Sequence, residues 1–113
     1  MQRATGFLLT QVWFVRDNLR LVFEPFYFDL FGNLSIEFSG VTLKSGDAGY
    51  CDALVGSIGR KLERVEHGDK QISFVLNDGA CMRLPLNSCP AGDEILVFGD
   101  TGSGFIDCVY SID

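Results

Sequence analysis

The sequence predicts one α+β domain that is mostly β, in which an antiparallel sheet, curved or barrel-like, packs against one helix. Its 113 residues match the commonest size of a single domain, so we expect residues 1–113 to share one core. Short segments rich in β-branched and aromatic residues alternate with turn residues along most of the chain, and one stretch alone has helical spacing. Because 47% of the residues are hydrophobic, disorder is excluded.

The first forty residues predict a four-stranded meander. Arg16-Asp17-Asn18 indicates a hairpin turn, and Pro25 marks the break between two successive strand pairs. The segments between these turns have the β-branched and aromatic composition of strands. They are residues 7–15, 19–24, 26–31 and 34–38.

Residues 46–59 predict the helix. Asp47 suits the N-cap position, and Gly59 suits the position that ends a helix. Apolar residues recur between them at helical intervals, namely Ala48, Cys51, Leu54, Val55 and Ile58. Beyond the helix, five further segments have strand composition, and they are residues 61–67, 71–76, 80–86, 94–98 and 105–110.

A weak internal repeat relates the two halves of the sequence. A shift of 53 positions places Leu9 on Leu62, Val12 on Val65 and Leu21 on Phe74 without a gap, so the same hairpin pattern occurs twice. Duplication is one explanation. Convergence is the other, because any two strand-turn-strand units share apolar positions at a period of two.

Gly99-Asp100-Thr101-Gly102-Ser103 follows an apolar run and resembles the aspartic protease signature. That chemistry needs two carboxylates that share a proton, and therefore a second such loop. In those enzymes much of the catalytic fold follows the motif, whereas ten residues follow Ser103 here. We interpret the segment as a tight turn.

The histidine and the cysteines do not predict a catalytic or metal site. His67 is the only histidine, and the four cysteines have neither the spacing of a zinc site nor that of a redox pair; they are Cys51, Cys81, Cys89 and Cys108. We therefore expect no metal, no cofactor and no enzymatic activity. Cysteines of this kind, without a signal peptide or an apolar span of about 20 residues, indicate a cytoplasmic protein with no membrane partner.

Basic residues do not predict nucleic-acid binding. Arg60, Lys61 and Arg64 cluster near the end of the predicted helix. However, Glu63 and Glu66 lie among them, and the sequence pI is about 4.6. We interpret the cluster as cations that complement the helix C-terminus.

Acidic residues are segregated towards the end of the sequence. From Leu84 onwards the chain has five carboxylates and no lysine or arginine, within a formal net charge of -6. A local field of this kind favours a basic protein partner. The candidate partner-binding residues are these carboxylates and one aromatic anchor, namely Asp93, Glu94, Asp100, Asp107, Asp113 and Tyr110. The next candidates lie at the start of the predicted helix and are Asp47, Tyr50 and Asp52.

One pattern in the middle of the chain supports the same kind of role. It comprises Gly49-Tyr50, Ala53-Leu54, Ile58-Gly59-Arg60-Lys61-Leu62, Val65, Ile72, Phe74, Asn77-Asp78-Gly79 and Leu84-Pro85. The pattern resembles small, largely uncharacterised bacterial β-rich proteins, some of which look like immunity proteins of toxin systems, including contact-dependent growth inhibition. The resemblance implies a cytoplasmic protein that binds and blocks a toxin domain, and it implies no site residues. Independently, many nuclease toxins are basic because they hold a phosphate backbone, and carboxylates that mimic this backbone suit an inhibitor.

Two alternative functions are compatible with the same sequence. One is a small-ligand-binding or enzymatic barrel with an apolar pocket lined by phenylalanines, namely Phe23, Phe26, Phe28 and Phe31. The other is a structural subunit that pairs through an exposed sheet edge. For the leading hypothesis, a toxin inhibitor, we expect a monomer or a weak homodimer.

Overall fold

The described residues of the computed structural model form two antiparallel five-stranded sheets and one α-helix. They are residues 1–16, 18–87, 94–102 and 106–111, with the backbone alone described for Glu94 and for Ile106–Ser111. The strands are β1 (Gln11–Val15), β2 (Asn18–Phe23), β3 (Phe26–Leu30), β4 (Ser35–Phe38), β5 (Val41–Leu43), β6 (Leu62–His67), β7 (Gln71–Leu76), β8 (Cys81–Pro85), β9 (Glu94–Asp100) and β10 (Ile106–Ser111). The helix, α1, is Tyr50–Gly56, and a 3-10 turn covers Gln2–Ala4. The predicted fold class is confirmed, with two sheets that do not close into a barrel.

The core lies between the two sheets. In the first sheet the strand order is β1-β2-β3-β9-β10, and in the second it is β5-β4-β8-β7-β6. Phe28 of β3 is directly paired with Leu21 of β2 and Phe98 of β9, and all three side chains are fully buried. The Phe28 ring meets the Phe74 ring of β7 edge-to-face, with 4.9 Å between the ring centroids. Each sheet therefore contributes one apolar face to a shared core.

The predicted meander is wrong in its fourth strand. β1, β2 and β3 are consecutive neighbours, but β4 lies in the second sheet between β5 and β8. The place beside β3 belongs to β9, which brings the buried Phe98 ring within 4.8 Å of the Phe28 ring, measured between centroids. β4 instead buries Ile36 opposite Met82 of β8, and β5 is a strand that the sequence analysis did not predict.

The helix is shorter than predicted, and its predicted cap is wrong. Gly49 is the N-cap residue, in the left-handed region at φ 85°, which glycine adopts without a Cβ clash. The Asp47 carboxylate instead accepts a hydrogen bond from the Lys44 amide and closes the preceding turn. Because the helix ends at Gly56, the basic residues 60, 61 and 64 lie beyond its last turn, which corrects their predicted role. In the described part of the chain, no helix has the length and apolarity needed to cross a membrane.

The two sheets share one strand order. Each sheet contains three strands that are consecutive in the chain, β1-β2-β3 in the first sheet and β6-β7-β8 in the second. In each sheet the last of these three strands pairs with a hairpin from the other half of the chain. That hairpin is β9-β10 beside β3 and β4-β5 beside β8. The sequence repeat of 53 positions places β2 (18–23) on β7 (71–76) without a gap. This common order favours duplication over convergence as the origin of the repeat.

Tyr50 anchors the helix to the core and makes the stability of the fold decrease at alkaline pH. Its buried hydroxyl donates a hydrogen bond to the Leu34 carbonyl at 2.7 Å. Burial raises the pKa of Tyr50 above its ordinary value of 10.0, with a smaller contribution from Cys51. The folded-state pKa therefore lies above the unfolded-state pKa, so this stabilisation is complete below pH 10 and is lost as pH rises through the folded-state pKa.

We predict that Tyr50→Phe lowers the free energy of unfolding by about 1 kcal/mol at neutral pH and weakens the loss of stability above pH 10. Urea unfolding over a pH series measures both effects. Burial also raises the pKa of the Cys81 thiol, so Cys81→Ala is introduced into both proteins to isolate the contribution of Tyr50. An identical alkaline slope in the two proteins would contradict this role.

Candidate functional site

The outer faces of the two sheets differ in chemistry. On the second sheet the outer face carries an ion pair at 3.1 Å between Arg83 and Glu37 and another at 3.2 Å between Arg64 and Glu66, beside the buried Val75 and Cys81. On the first sheet, Val22, Tyr27 and Val97 form a small apolar cluster of their own, separate from the main core. Apolar side chains on the outside of a sheet are more informative than polar ones, because they lie outside the main core and do not contribute to it.

A groove of about 430 Å³ lies on this outer face of the first sheet. Residues paired across neighbouring strands position the groove. Trp13 of β1 is paired with Arg20 of β2. Gln11 of β1 is paired with Val22 of β2, which is paired in turn with Tyr27 of β3. Val22 and Tyr27 are buried, whereas the Trp13 side chain is 48% exposed. The groove is lined by Gln11, Trp13, Arg20, Val22, Glu24, Tyr27, Asp100, Thr101 and Gly102.

Arg20 holds the aromatic side chains of this face in place. Its Nε and Nη2 donate to the two carboxylate oxygens of Asp29 at 2.7 and 2.8 Å, which is the bidentate geometry that guanidinium favours. The guanidinium carbon lies 4.3 Å from the Tyr27 ring centroid and 5.5 Å from that of Trp13. The hydrogen bond with Asp29 raises the pKa of Arg20, against the opposing effect of burial. The positive charge of Arg20 is therefore balanced by Asp29, and the guanidinium group holds the rings of Trp13 and Tyr27 in position.

Two carboxylates, those of Glu24 and Asp100, line one end of the groove. Thr101 joins the β9 end to the β2–β3 turn, because its amide donates to the Pro25 carbonyl at 2.7 Å and its hydroxyl to Glu24 Oε1 at 3.0 Å. The Gly102 amide donates to Asp100 Oδ1 at 2.7 Å. Among the ion pairs between described residues, none involves Glu24, which is exposed.

This arrangement is chemically suited to hold a cation. The half-exposed Trp13 indole and the carboxylates of Glu24 and Asp100 line one groove, and both kinds of group attract an ammonium or guanidinium group. Within the described residues, no group of three histidine, cysteine, aspartate or glutamate side chains converges as a metal site would require. The two cysteines whose side chains are described, Cys51 and Cys81, are free thiols, and Cys81 is buried.

Of the six predicted site residues, Asp100 is the one whose side chain the structure describes, and it lines the groove. Asp100 is half-buried and lies at the end of β9. Glu94, Asp107 and Tyr110 lie on β9 and β10, whose backbone places Glu94 opposite Ser111 and Tyr110 opposite Leu96. Asp93 and Asp113 lie outside the described residues. Of the second set of candidates, Tyr50 is buried in the core and Asp47 is part of a turn.

Four residues that give the groove its aromatic and charged character were not predicted from the sequence. They are Trp13, Arg20, Glu24 and Tyr27. The available signal was the alternation of Gln11 and Trp13 on β1 with Arg20 and Val22 on β2, since residues two apart share a face. Trp13 is also the only tryptophan of the chain.

Of the phenylalanines in the alternative pocket hypothesis, Phe23, Phe26 and Phe28 are packed against other rings. Phe23 and Phe28 meet edge-to-face at 5.9 Å, and Phe26 stacks on Phe98 at 5.6 Å. Phe31 lines a separate surface cleft of about 250 Å³ near Leu34 and Tyr50. Gly99 and Asp100 of the protease-like segment continue β9, and Thr101 and Gly102 begin a turn.

We predict that Arg20→Lys lowers the free energy of unfolding by roughly 1–2 kcal/mol, because lysine cannot make the bidentate contact or stack on the rings. Urea unfolding monitored by the emission of Trp13 measures this loss, and the native emission also changes as the guanidinium leaves the indole. Arg64→Lys is the matched control, since its pair with Glu66 is exposed and should change stability by less than about 0.5 kcal/mol. Equal losses in the two variants would contradict the special role of Arg20.

Comparison of the chain with protein-family models, curated proteins and solved structures finds no match. The groove on the first sheet is therefore assigned from its geometry and chemistry.

Proposed function

We propose that this chain is an acidic protein-binding module that holds a basic protein against the outer face of its first sheet. The observation that carries the proposal is the groove itself, where the half-exposed Trp13 indole and the carboxylates of Glu24 and Asp100 line one open space. Tryptophan and tyrosine are among the residues that most often dominate the binding energy of a protein interface, and charged groups around them steer the partner.

Charge complementarity favours a basic partner. The chain has a formal net charge of -6, which attracts a cationic protein from a distance and accelerates its association. A lysine or arginine side chain of the partner would lay its methylene groups on the Trp13 ring and place its charge beside Glu24 and Asp100. The proposed contact thus uses both the field of the whole chain and the local geometry of the groove.

A toxin domain is the partner that we propose, and a nuclease is the favoured class. A nuclease is basic where it holds a phosphate backbone, and an inhibitor whose carboxylates replace that backbone blocks the site without catalytic groups of its own. Such an inhibitor would act in the cytoplasm of the cell that it protects.

The groove volume also favours a second candidate function. A space of about 430 Å³ lies within the range of roughly 300–1,000 Å³ that small-molecule sites occupy. A small cationic ligand could use the same indole and carboxylates as a lysine side chain. A ligand of this class would bind without any protein partner.

We predict that Glu24→Gln combined with Asp100→Asn slows association with the partner by about tenfold at low salt and flattens the salt dependence of the association rate. The partner is first captured from the producing cell on the immobilised wild-type protein. Stopped-flow fluorescence of Trp13 then measures the association rate over a salt series.

The control is Glu63→Gln combined with Asp69→Asn, which removes the same charge from exposed positions outside the groove. This control should retain most of the wild-type rate. Equal slowing by the two double variants would show that net charge alone acts, and capture of no basic protein would contradict the proposed function.

A further inference from the structure

The first strand is an open edge of the first sheet. In the strand order, β1 and β10 are the edges of the first sheet, and β5 and β6 are the edges of the second. Within the described residues, β1 pairs with β2 alone, in a continuous register from Gln11 opposite Val22 to Val15 opposite Asn18. One side of β1 therefore presents backbone amide and carbonyl groups that another strand can pair with.

The other described edges carry the protections that natural sheets use against such pairing. β5 is three residues long, and both β6 and β10 have shifts of register against their neighbours. β6 also carries Glu63, Arg64 and Glu66, which are charged and exposed. Short length, irregular register and charge each oppose edge-to-edge association.

The internal repeat places β1 on β6, but β1 lacks the protections that β6 carries. The shift of 53 residues places Gln11 on Arg64 and Trp13 on Glu66, so the charged residues of one edge are replaced on the other by an amide and an indole. Trp13, Phe14 and Val15 are 48%, 51% and 49% exposed. Three consecutive apolar residues on an open edge are a pairing surface rather than a scatter of single exposed side chains.

We propose that β1 pairs antiparallel with β1 of a second copy of this chain, about a two-fold axis at Trp13. This register pairs all five residues of the strand, with Trp13 opposite Trp13, Val12 opposite Phe14, and Gln11 opposite Val15. The strand contains no charged residue, so no like charges are brought together within it. In the same register the flanking Arg16 lies opposite Thr10, and the two Arg16 side chains stay apart.

The dimer is weak, and its affinity rises with salt. A single pair of five-residue strands buries less than the roughly 1,200 Å² of the smallest stable interfaces. Each copy has a formal net charge of -6, so the copies repel one another at low ionic strength, and salt screens this repulsion. Binding of a basic partner has the opposite salt dependence, which separates the two kinds of association.

The second copy also completes one side of the groove. Residues directly opposite one another in an antiparallel pair share a face of the sheet. Trp13 of the second copy therefore lies beside Trp13 of the first, on the face where this indole lines the groove. Pairing joins the two outer faces into one continuous surface of ten strands.

Sedimentation velocity over a concentration series, at low and high salt, tests the proposal. We expect a monomer–dimer equilibrium that shifts towards dimer at high salt, with a blue shift of Trp13 emission as the dimer forms. Phe14→Lys places a charge on the open edge and should raise the dimer dissociation constant by at least about tenfold. Val15→Lys is a second variant with the same expected effect, and circular dichroism verifies that both fold.

Val41→Lys is the matched control, because Val41 is 48% exposed on β5, the edge of the other sheet. It should leave the dissociation constant within about twofold of the wild-type value. A monomer at every concentration and salt would overturn the proposal. So would a dimer that Val41→Lys weakens and Phe14→Lys leaves intact.

Discussion

The contact between the two sheets at Phe28 is the interaction on which the rest of the structure depends. This ring touches Phe23 of its own hairpin, Phe98 of β9 and Phe74 of the opposite sheet. It therefore joins the first triplet of strands to the hairpin that completes its sheet and to the sheet that covers it. Because one face of each sheet is buried in this core, the outer faces and the edges are the surfaces that remain available for binding.

The two outer faces differ in spite of their common strand order. On the second sheet, ion pairs such as Arg83 with Glu37 lie beside the buried Val75 and Cys81, and no aromatic ring of the described residues stacks on them. On the first sheet, one partly buried ion pair, Arg20 with Asp29, instead lies among aromatic rings and orders them. A buried pair of this kind is weak evidence for stability, but it fixes the geometry of its neighbours, which is what a binding surface requires. The first sheet therefore differs from the second in carrying an ordered aromatic surface, and this difference is the reason for proposing it as the binding face.

The sequence predicted local structure well and non-local structure poorly. β7 (Gln71–Leu76) was predicted with its observed bounds, because a turn on each side and the apolar pattern between them are local signals. The fourth strand of the predicted meander was misplaced, since β9 arrives beside β3 from a distant part of the chain. Asp100, which was predicted from its charge, lines the groove, whereas Trp13 and Tyr27 also line it and were not predicted. Their importance depends on which face of the sheet is buried, and only strand pairing decides that.

The most direct test of the account is the indole N–H resonance of Trp13, the only tryptophan, during titration with the captured basic partner. If the outer face of the first sheet is the binding face, this signal shifts or broadens in proportion to the complex formed. Val75 lies on the outer face of the second sheet, where it is paired with Arg64 and Cys81, and its methyl signals stay in place. An unchanged indole signal together with shifted Val75 methyl signals would place the interface on the second sheet and contradict the account.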